Sequence, residues 1–269
     1  MQFYTGISDK YAARELKPED LFTFECNEKC MGKCCRFLTI LLDPWDAEVI
    51  ARHINISGAD FLEIFCNYEF GTSSSWPIVW LKQAEVGPCA FLLEDGRCSI
   101  YAVRPRNCRT YPIGRAVQIE EAEDGPLIRE KLFMVERPDF CLGYAGNRTW
   151  TVREWLKDSG VEKYHELSDL YLSLINYAAG TLNCRAWLSP KTARLLMPLL
   201  FLPDVLRGKI GVSEDSLDNE TFYRRRLEAA KVILTEMAAS MGHGPLAGSV
   251  APNQDMSLVE RIRRLILVE

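Results

Sequence analysis

The stretch "FECNEKCMGKCCRF", residues 24–37, puts four cysteines into ten positions: Cys26, Cys30, Cys34 and Cys35. Their spacing is C-x3-C-x3-C-C, with the last two adjacent. Downstream, "GPCAFLLEDGRCSIYAVRPRNCRTYPIG" (87–114) adds Cys89, Cys98 and Cys108, and "ERPDFCLGYAG" (136–146) adds Cys141. Of the ten cysteines, nine fall in the first 141 residues and one in the last 128. Independent core cysteines would scatter over both halves, so the dense group asks for a common cause. Cys66 and Cys184 stand apart in apolar, helical-looking sequence and read as core residues.

The compartment decides what such thiols are for. The N-terminus lacks an apolar signal core and a small-residue cleavage site, so no secretory signal is expected. The longest apolar run, "LLMPLLFLPDVL" (195–206), is too short to span a bilayer and contains prolines. A cytoplasmic location with no membrane partner is therefore expected. Thiols there stay reduced, and a cysteine framework reads as metal-binding or catalytic rather than disulfide-bonded. The net charge of −5 and pI near 5.5 argue against nucleic acid as the main partner, because neutralising phosphates takes clustered Lys and Arg.

Soft thiolates select zinc, iron–sulfur clusters or Cu(I). The only histidines, His53, His165 and His243, have no ligand spacing, which favours an all-sulfur site. Four-sulfur zinc sites and cubane clusters each need four thiolates. The eight thiols would fill two such sites, or one with thiols to spare. In extended backbone, neighbouring side chains point to opposite faces, so Cys34 and Cys35 do not easily ligate one ion. They could serve two neighbouring centres, or one could ligate while the other stays free. Cys26, Cys30 and Cys34 would share a face if the segment were helical; Gly32 weakens that reading, and a loop wrapped around the metal is its equal. Thiolates around a metal leave negative charge that nearby donors offset. Arg104, Arg106 and Arg109 in "VRPRNCR" are candidates for that role, Arg104 and Arg109 foremost.

Around the cysteines, "RFLTILL" (36–42) reads as a short buried strand. "DPWDAEVIARHI" reads as a helix with Asp43 as N-cap and Pro44 at its first position, and "SGADFLEIFCNYEF" as a second helix capped by Ser57. "WPIVWLKQ" favours strand. Asp95-Gly96 and Asp124-Gly125 mark two hairpins, the first bringing Cys89 and Cys98 together, so residues 76–136 are expected to form a small antiparallel sheet. Beyond Cys141 the texture turns helical: Leu167, Leu170, Tyr171 and Leu174 recur at helical spacing. Ser189-Pro190 opens another helix, Phe222 to Met237 line an amphipathic one, and "SLVERIRRLILVE" closes the chain. The soft boundary falls near 145–150.

These residues carry a resemblance. "C…C…CCR", "LDPWDAEVIARHINISGADFLEIF", "CAFLLEDGRCSIYAVRPRNCRTYP" and "FCLG" resemble the YkgJ-type cysteine-cluster family, whose CxxCxxCC domain is described as zinc- or iron-chelating. The similarity covers about residues 22–145, and "TVREWLKDSGVEKYHEL" resembles the helical extension of longer members. The resemblance implies Cys26, Cys30, Cys34, Cys35, Cys89, Cys98, Cys108 and Cys141 as ligands. The departure is at the front, where x3 spacing replaces x2.

A radical-type C-x3-C-x2-C would need a cysteine at position 33, which is Lys33. Flagellin lysine methylases are similar in carrying a cysteine cluster, so methyl transfer to a protein lysine, with S-adenosylmethionine as cofactor, stands as an alternative, although no glycine-rich nucleotide loop is present. There is no C-x-x-C, G-x-S-x-G or H-E-x-x-H. The acidic run 120–124 reads as a solvated turn and the basic run 223–231 as a solvated face.

The expected fold is α+β. Residues 1–148 form a cysteine-cluster metal-binding domain of short helices and a small antiparallel sheet, and residues 149–269 a helical region packed on it. The expected role is to hold an iron–sulfur cluster or zinc, with iron ahead because of the paired thiols and the thiol-only ligand set. The alternatives are the methyltransferase and a zinc-stapled module that binds a protein partner.

Overall fold

The computed structural model describes residues 15–36, 39–72, 74–83, 87–122, 125–247 and 256–268. The chain is α+β, with small antiparallel sheets and short helices toward the front and helices toward the end. It divides into two compact units. One takes the chain up to Leu42 together with Trp80–Glu166, the other Asp43–Val79 together with the chain from Leu167 onward.

In the first unit, the long hairpin of Ile113–Ala122 and Gly125–Met134 runs in unbroken antiparallel register from Ile113↔Met134 to Ala122↔Gly125. Residue 124 of the expected Asp124-Gly125 turn lies outside the described residues. The short strand Glu15–Leu16 pairs with the second hairpin strand at Phe133 and Leu132. A separate ribbon joins Leu21–Thr23 to Thr149–Thr151, with Phe22 opposite Trp150. The inward residues of both sheets, Leu16, Phe22, Phe24, Ile113, Leu132, Trp150 and Val152, form the core with Cys141. Only the base of the hairpin reaches that core. Gly125 to Lys131 are exposed, because both faces of the outer ribbon carry polar residues as readily as apolar ones.

The helix Val152–Ser159 starts at a capping box. The Thr151 side chain accepts from the Glu154 N–H, and the Glu154 carboxylate accepts from the Thr151 N–H, which satisfies two otherwise orphaned donors. Two expectations shrink. Of the strand expected over 36–42, Leu41–Leu42 is extended, while Phe37 and Leu38 lie outside the described residues. The hairpin expected around Asp95-Gly96 is reduced to a bridge between Leu92 and Cys98 and a tight turn in which the Leu93 N–H donates to the Arg97 carbonyl at 2.8 Å. Its arms are too short for a ladder, and the chain turns away after Cys98.

In the second unit the caps read from sequence are present. The Asp46 N–H donates to Asp43 at 2.9 Å, starting the helix Pro44–His53. Ser57 caps Gly58–Phe65, and Ser189 caps Pro190–Ala193. The long helix Asn219–Ser240 buries Phe222, Tyr223, Arg226, Leu227 and Ala230 among others. The Trp45 ring meets Tyr223 edge-on at 5.1 Å. Cys66 and Cys184 are buried here, as read.

Candidate metal centre

The front cysteines are placed by backbone bonds. After the strand Leu21–Thr23, the Phe24 N–H donates to the Arg148 carbonyl and the Glu25 N–H to the Gly143 carbonyl, both at 3.0 Å. Those bonds lay Cys26 alongside the loop that carries Cys141. Next come two 3-10 turns, Glu28–Cys30 and Lys33–Arg36. Asn27 caps the first by accepting from the Lys29 N–H at 2.9 Å, and the Cys30 thiol donates to the Asn27 carbonyl at 3.3 Å. Gly32, at φ +75°, separates the turns in a conformation that costs other residues strain. Cys26, Cys30 and Cys34 therefore lie on a wrapped loop, not along one helix face.

The middle group is tied to this loop. The Cys89 N–H donates to the Cys35 carbonyl at 2.7 Å. Gly32 packs on Gly96 so closely that a Cβ at Gly32 would stand 2.8 Å from the Gly96 carbonyl oxygen. Cys98 sits on the far arm of that turn, bridged to Leu92. Cys108 rides on the one-turn helix Arg106–Thr110, its N–H donating to the Pro105 carbonyl at 2.9 Å.

The outcome is a sulfur-lined cavity of about 490 Å³, walled in part by Cys26, Cys30, Cys34, Cys35, Cys98 and Cys141. The aromatic residues Phe24, Tyr101, Tyr111 and Phe140 line it too, with Met31 and Arg97 among the rest. Cys89 and Cys108 do not line it, but both lie within electrostatic reach of Cys35. All ten cysteines are thiols. The sulfurs stand around a space rather than on a point: among the described residues, no three Cys, His, Asp or Glu side chains already form a group that could hold an ion.

Crowding shapes the electrostatics. The Cys35 thiol donates to Cys34 and pulls it down to about 7, against the opposing effect of burial. The same bond, with burial and the neighbouring Cys34, Cys89 and Cys108, holds Cys35 far above the ordinary thiol value. Burial raises Cys26, and the thiols of Cys34, Cys30 and Cys141 add to it. Burial raises Cys89 and Cys98 as well. Mutual repulsion of this kind keeps a full set of thiolates from forming unless a cation is shared among them.

The arginines divide. Arg104 stacks on Tyr101 at 3.9 Å and donates to its carbonyl at 2.8 Å. From there its charge lowers both Cys26 and Cys98, although burial outweighs it. Arg109 is buried and spends its donors on the carbonyls of Arg104, Ala102 and Ser159 and on the Tyr164 hydroxyl. It staples the segment before Cys108 to the end of the helix Val152–Ser159 and to Tyr164 just beyond it. Arg106 flanks Cys108 on the same short helix, and its charge reaches His165.

Sequence reasoning passed over the aromatic wall. Tyr111 belongs to the same "CRTYP" run as Cys108, three residues on. Its hydroxyl is buried with no hydrogen-bond partner, and burial, with the Cys141 thiol and the Tyr144 hydroxyl, holds it above the ordinary phenol value. The signal was the tyrosine itself, a polar tip among apolar neighbours.

The donor set fits a thiophilic metal: six thiols and no carboxylate on one cavity, with Arg104 to offset their charge. No curated protein matches the chain, and no solved structure does. One family model does, spanning every cysteine of the group, the CxxCxxCC family described as "Putative zinc- or iron-chelating domain", over residues 25–146. Residues 25–146 are similar to that family, and the rest of the chain lies outside the match.

Proposed function

We propose that the chain is a metal protein whose cysteine thiolates hold an iron–sulfur cluster. The carrying observation is the cavity of about 490 Å³ walled by six thiols. A single zinc ion, with four sulfurs at about 2.3 Å, fills its own centre and leaves no such space. Room for several metal and sulfide atoms suits a polynuclear centre. Cys26, Cys30, Cys34, Cys35, Cys98 and Cys141 would hold it directly, with Cys89 and Cys108 beside Cys35 as the remaining donors. When bound, such a cluster supplies one-electron transfer at a potential set by its surroundings.

The chain's own residues do the rest. The 3-10 turns and the bond from Cys89 to Cys35 preorganise the sulfurs. Arg104 places a fixed positive charge beside Cys26 and Cys98, which favours their thiolates. Phe24 and Phe140 exclude water from one side and lower the local dielectric, which strengthens each of these interactions.

The test is anaerobic purification followed by iron, zinc and acid-labile sulfide analysis and a visible spectrum. A brown protein with stoichiometric iron and sulfide is expected. Serine at Cys26, Cys34, Cys98 or Cys141 should remove most of the metal, and serine at Cys66 or Cys184 should leave it. A colourless protein with stoichiometric zinc would replace the cluster with a zinc site. A chain that takes up neither metal would refute the reading altogether.

A further inference from the structure

We infer that Tyr111 is the positioning residue of the metal centre, its hydroxyl donating to the sulfur of Cys141. The inference rests on the metal reading above and goes beyond it, since nothing about the ligand set alone assigns a donor to this sulfur.

Three observations converge. First, Tyr111 is one of the residues that line the cavity, and its hydroxyl is buried with no hydrogen-bond partner. A buried donor left this way is costly, and native structures retain one where a partner arrives later. Second, the Cys141 sulfur and the Tyr144 hydroxyl are close enough to act electrostatically on that hydroxyl, and Cys141 lines the same cavity. Tyr144 already spends its proton on the Val135 carbonyl at 2.8 Å, so no donor competes with Tyr111 for Cys141 from that side. Third, Cys141 is buried within the aromatic core, its loop fixed by the Cys141 N–H donating to the Pro138 carbonyl at 2.9 Å. A neutral thiol is a weak acceptor, whereas a metal-bound thiolate is a strong one. The geometry thus holds a donor ready for the charge that Cys141 acquires on ligation. The edge-on Phe24 ring at 5.8 Å fixes the tyrosine's plane.

The test compares full-length wild type, Tyr111→Phe, Cys141→Ser and the double variant, each loaded anaerobically with the metal that wild type is found to hold. Three readouts are taken: metal per chain, half-time of release to a chelator, and the thiolate-to-metal absorption band, read on the cobalt(II)-substituted protein if the metal is zinc. Tyr111→Phe should bind the same amount of metal, lose it roughly tenfold faster and show a displaced band. Without metal it should melt no lower than wild type, because phenylalanine removes an unpaired donor and keeps the ring. On the Cys141→Ser background, where most of the metal is already lost, Tyr111→Phe should change neither the fraction that remains nor its rate of release. Wild-type release and an unmoved band in Tyr111→Phe would overturn the assignment. So would a lower melting temperature of the metal-free variant, or an equal effect on the Cys141→Ser background, since either marks a packing role. A wild-type chain that holds no metal would overturn this inference together with the proposed function, and that result differs from the others because it appears before any variant is made.

Discussion

His165 is the residue whose environment makes the most definite statement about solution behaviour. Burial, then the charges of Arg115 and Arg106, lower its pKa to about 3. The imidazole is therefore neutral in the folded chain at any ordinary pH. Unfolded, it would titrate near about 6.5. Because the folded value is the lower one, its contribution to stability is complete above the unfolded value. It is lost as pH falls from there toward 3, at up to about 1.4 kcal/mol per pH unit. Urea melts between pH 7 and 4 should show that slope in wild type and a clearly shallower one in His165→Gln. Equal slopes would mean that the imidazole is not held neutral. Nothing local in "EKYHEL" announced this, since the arginines that act on His165 come from the "RPRNCR" run and from the hairpin. The cysteines were legible residue by residue for the opposite reason: their chemistry is written in their identity and their crowding, and the reducing compartment expected from the sequence narrows the choice.

At the scale of elements, local grammar was readable and mutual placement was not. Asp43, Ser57 and Ser189 each cap the helix the sequence assigns to them, because a cap needs only its own first turn. The hairpin 113–134 was readable for the same reason. The turn at Asp95-Gly96 was visible, but not its docking against the front cysteines, which depends on two glycines 64 positions apart (Gly32 and Gly96) meeting backbone to backbone. That contact carries a prediction. Alanine at Gly32 would suffer twice, from φ +75° and from the Gly96 oxygen at 2.8 Å, which is backbone and cannot swing aside. Leu92, 2.9 Å from the same Cβ position, is flexible enough to give way. The chain should fold, with Cys26 to Cys35 displaced from Cys98, and metal per chain in Gly32→Ala should drop at least severalfold. Gly211→Ala is the control. It has the same sign of φ, +67°, with open space around it, so it should cost about 1–2 kcal/mol and leave metal content unchanged. Loss of metal in both variants, or in neither, would show that the glycine contact does not set the spacing of the sulfurs.

Across the whole molecule, the least legible feature is which distant segments choose one another. Among the described residues no helix is long and apolar enough to cross a membrane. Each compact unit buries an interior of its own. The second unit does this around an ion pair that no local pattern indicates: Arg226, fully buried, bonds to Glu48, which is 2% exposed and 178 positions away. In sequence Arg226 looked like one member of a solvated basic run. Instead its guanidinium also donates to the Leu199 and Leu200 carbonyls at 3.1 and 3.3 Å and lies against the Phe222 and Tyr223 rings. It thereby closes a helix end as well as pairing a charge. Removing one partner of such a pair strands the other in low dielectric. Arg226→Met should cost about 3–5 kcal/mol, read as a fall in the urea midpoint. Replacing both partners, Glu48→Leu with Arg226→Met, removes the stranded charge and should recover much of that loss, short of the part that the two carbonyls represent. If the double variant were as unstable as the single, the cost would lie in the carbonyls and the ring contacts rather than in the charge. The arginine would then be a helix-end clamp that happens to face an acid. Recovery in the double variant would instead identify the pair as the electrostatic centre around which Pro44–His53 and Asn219–Ser240 are assembled.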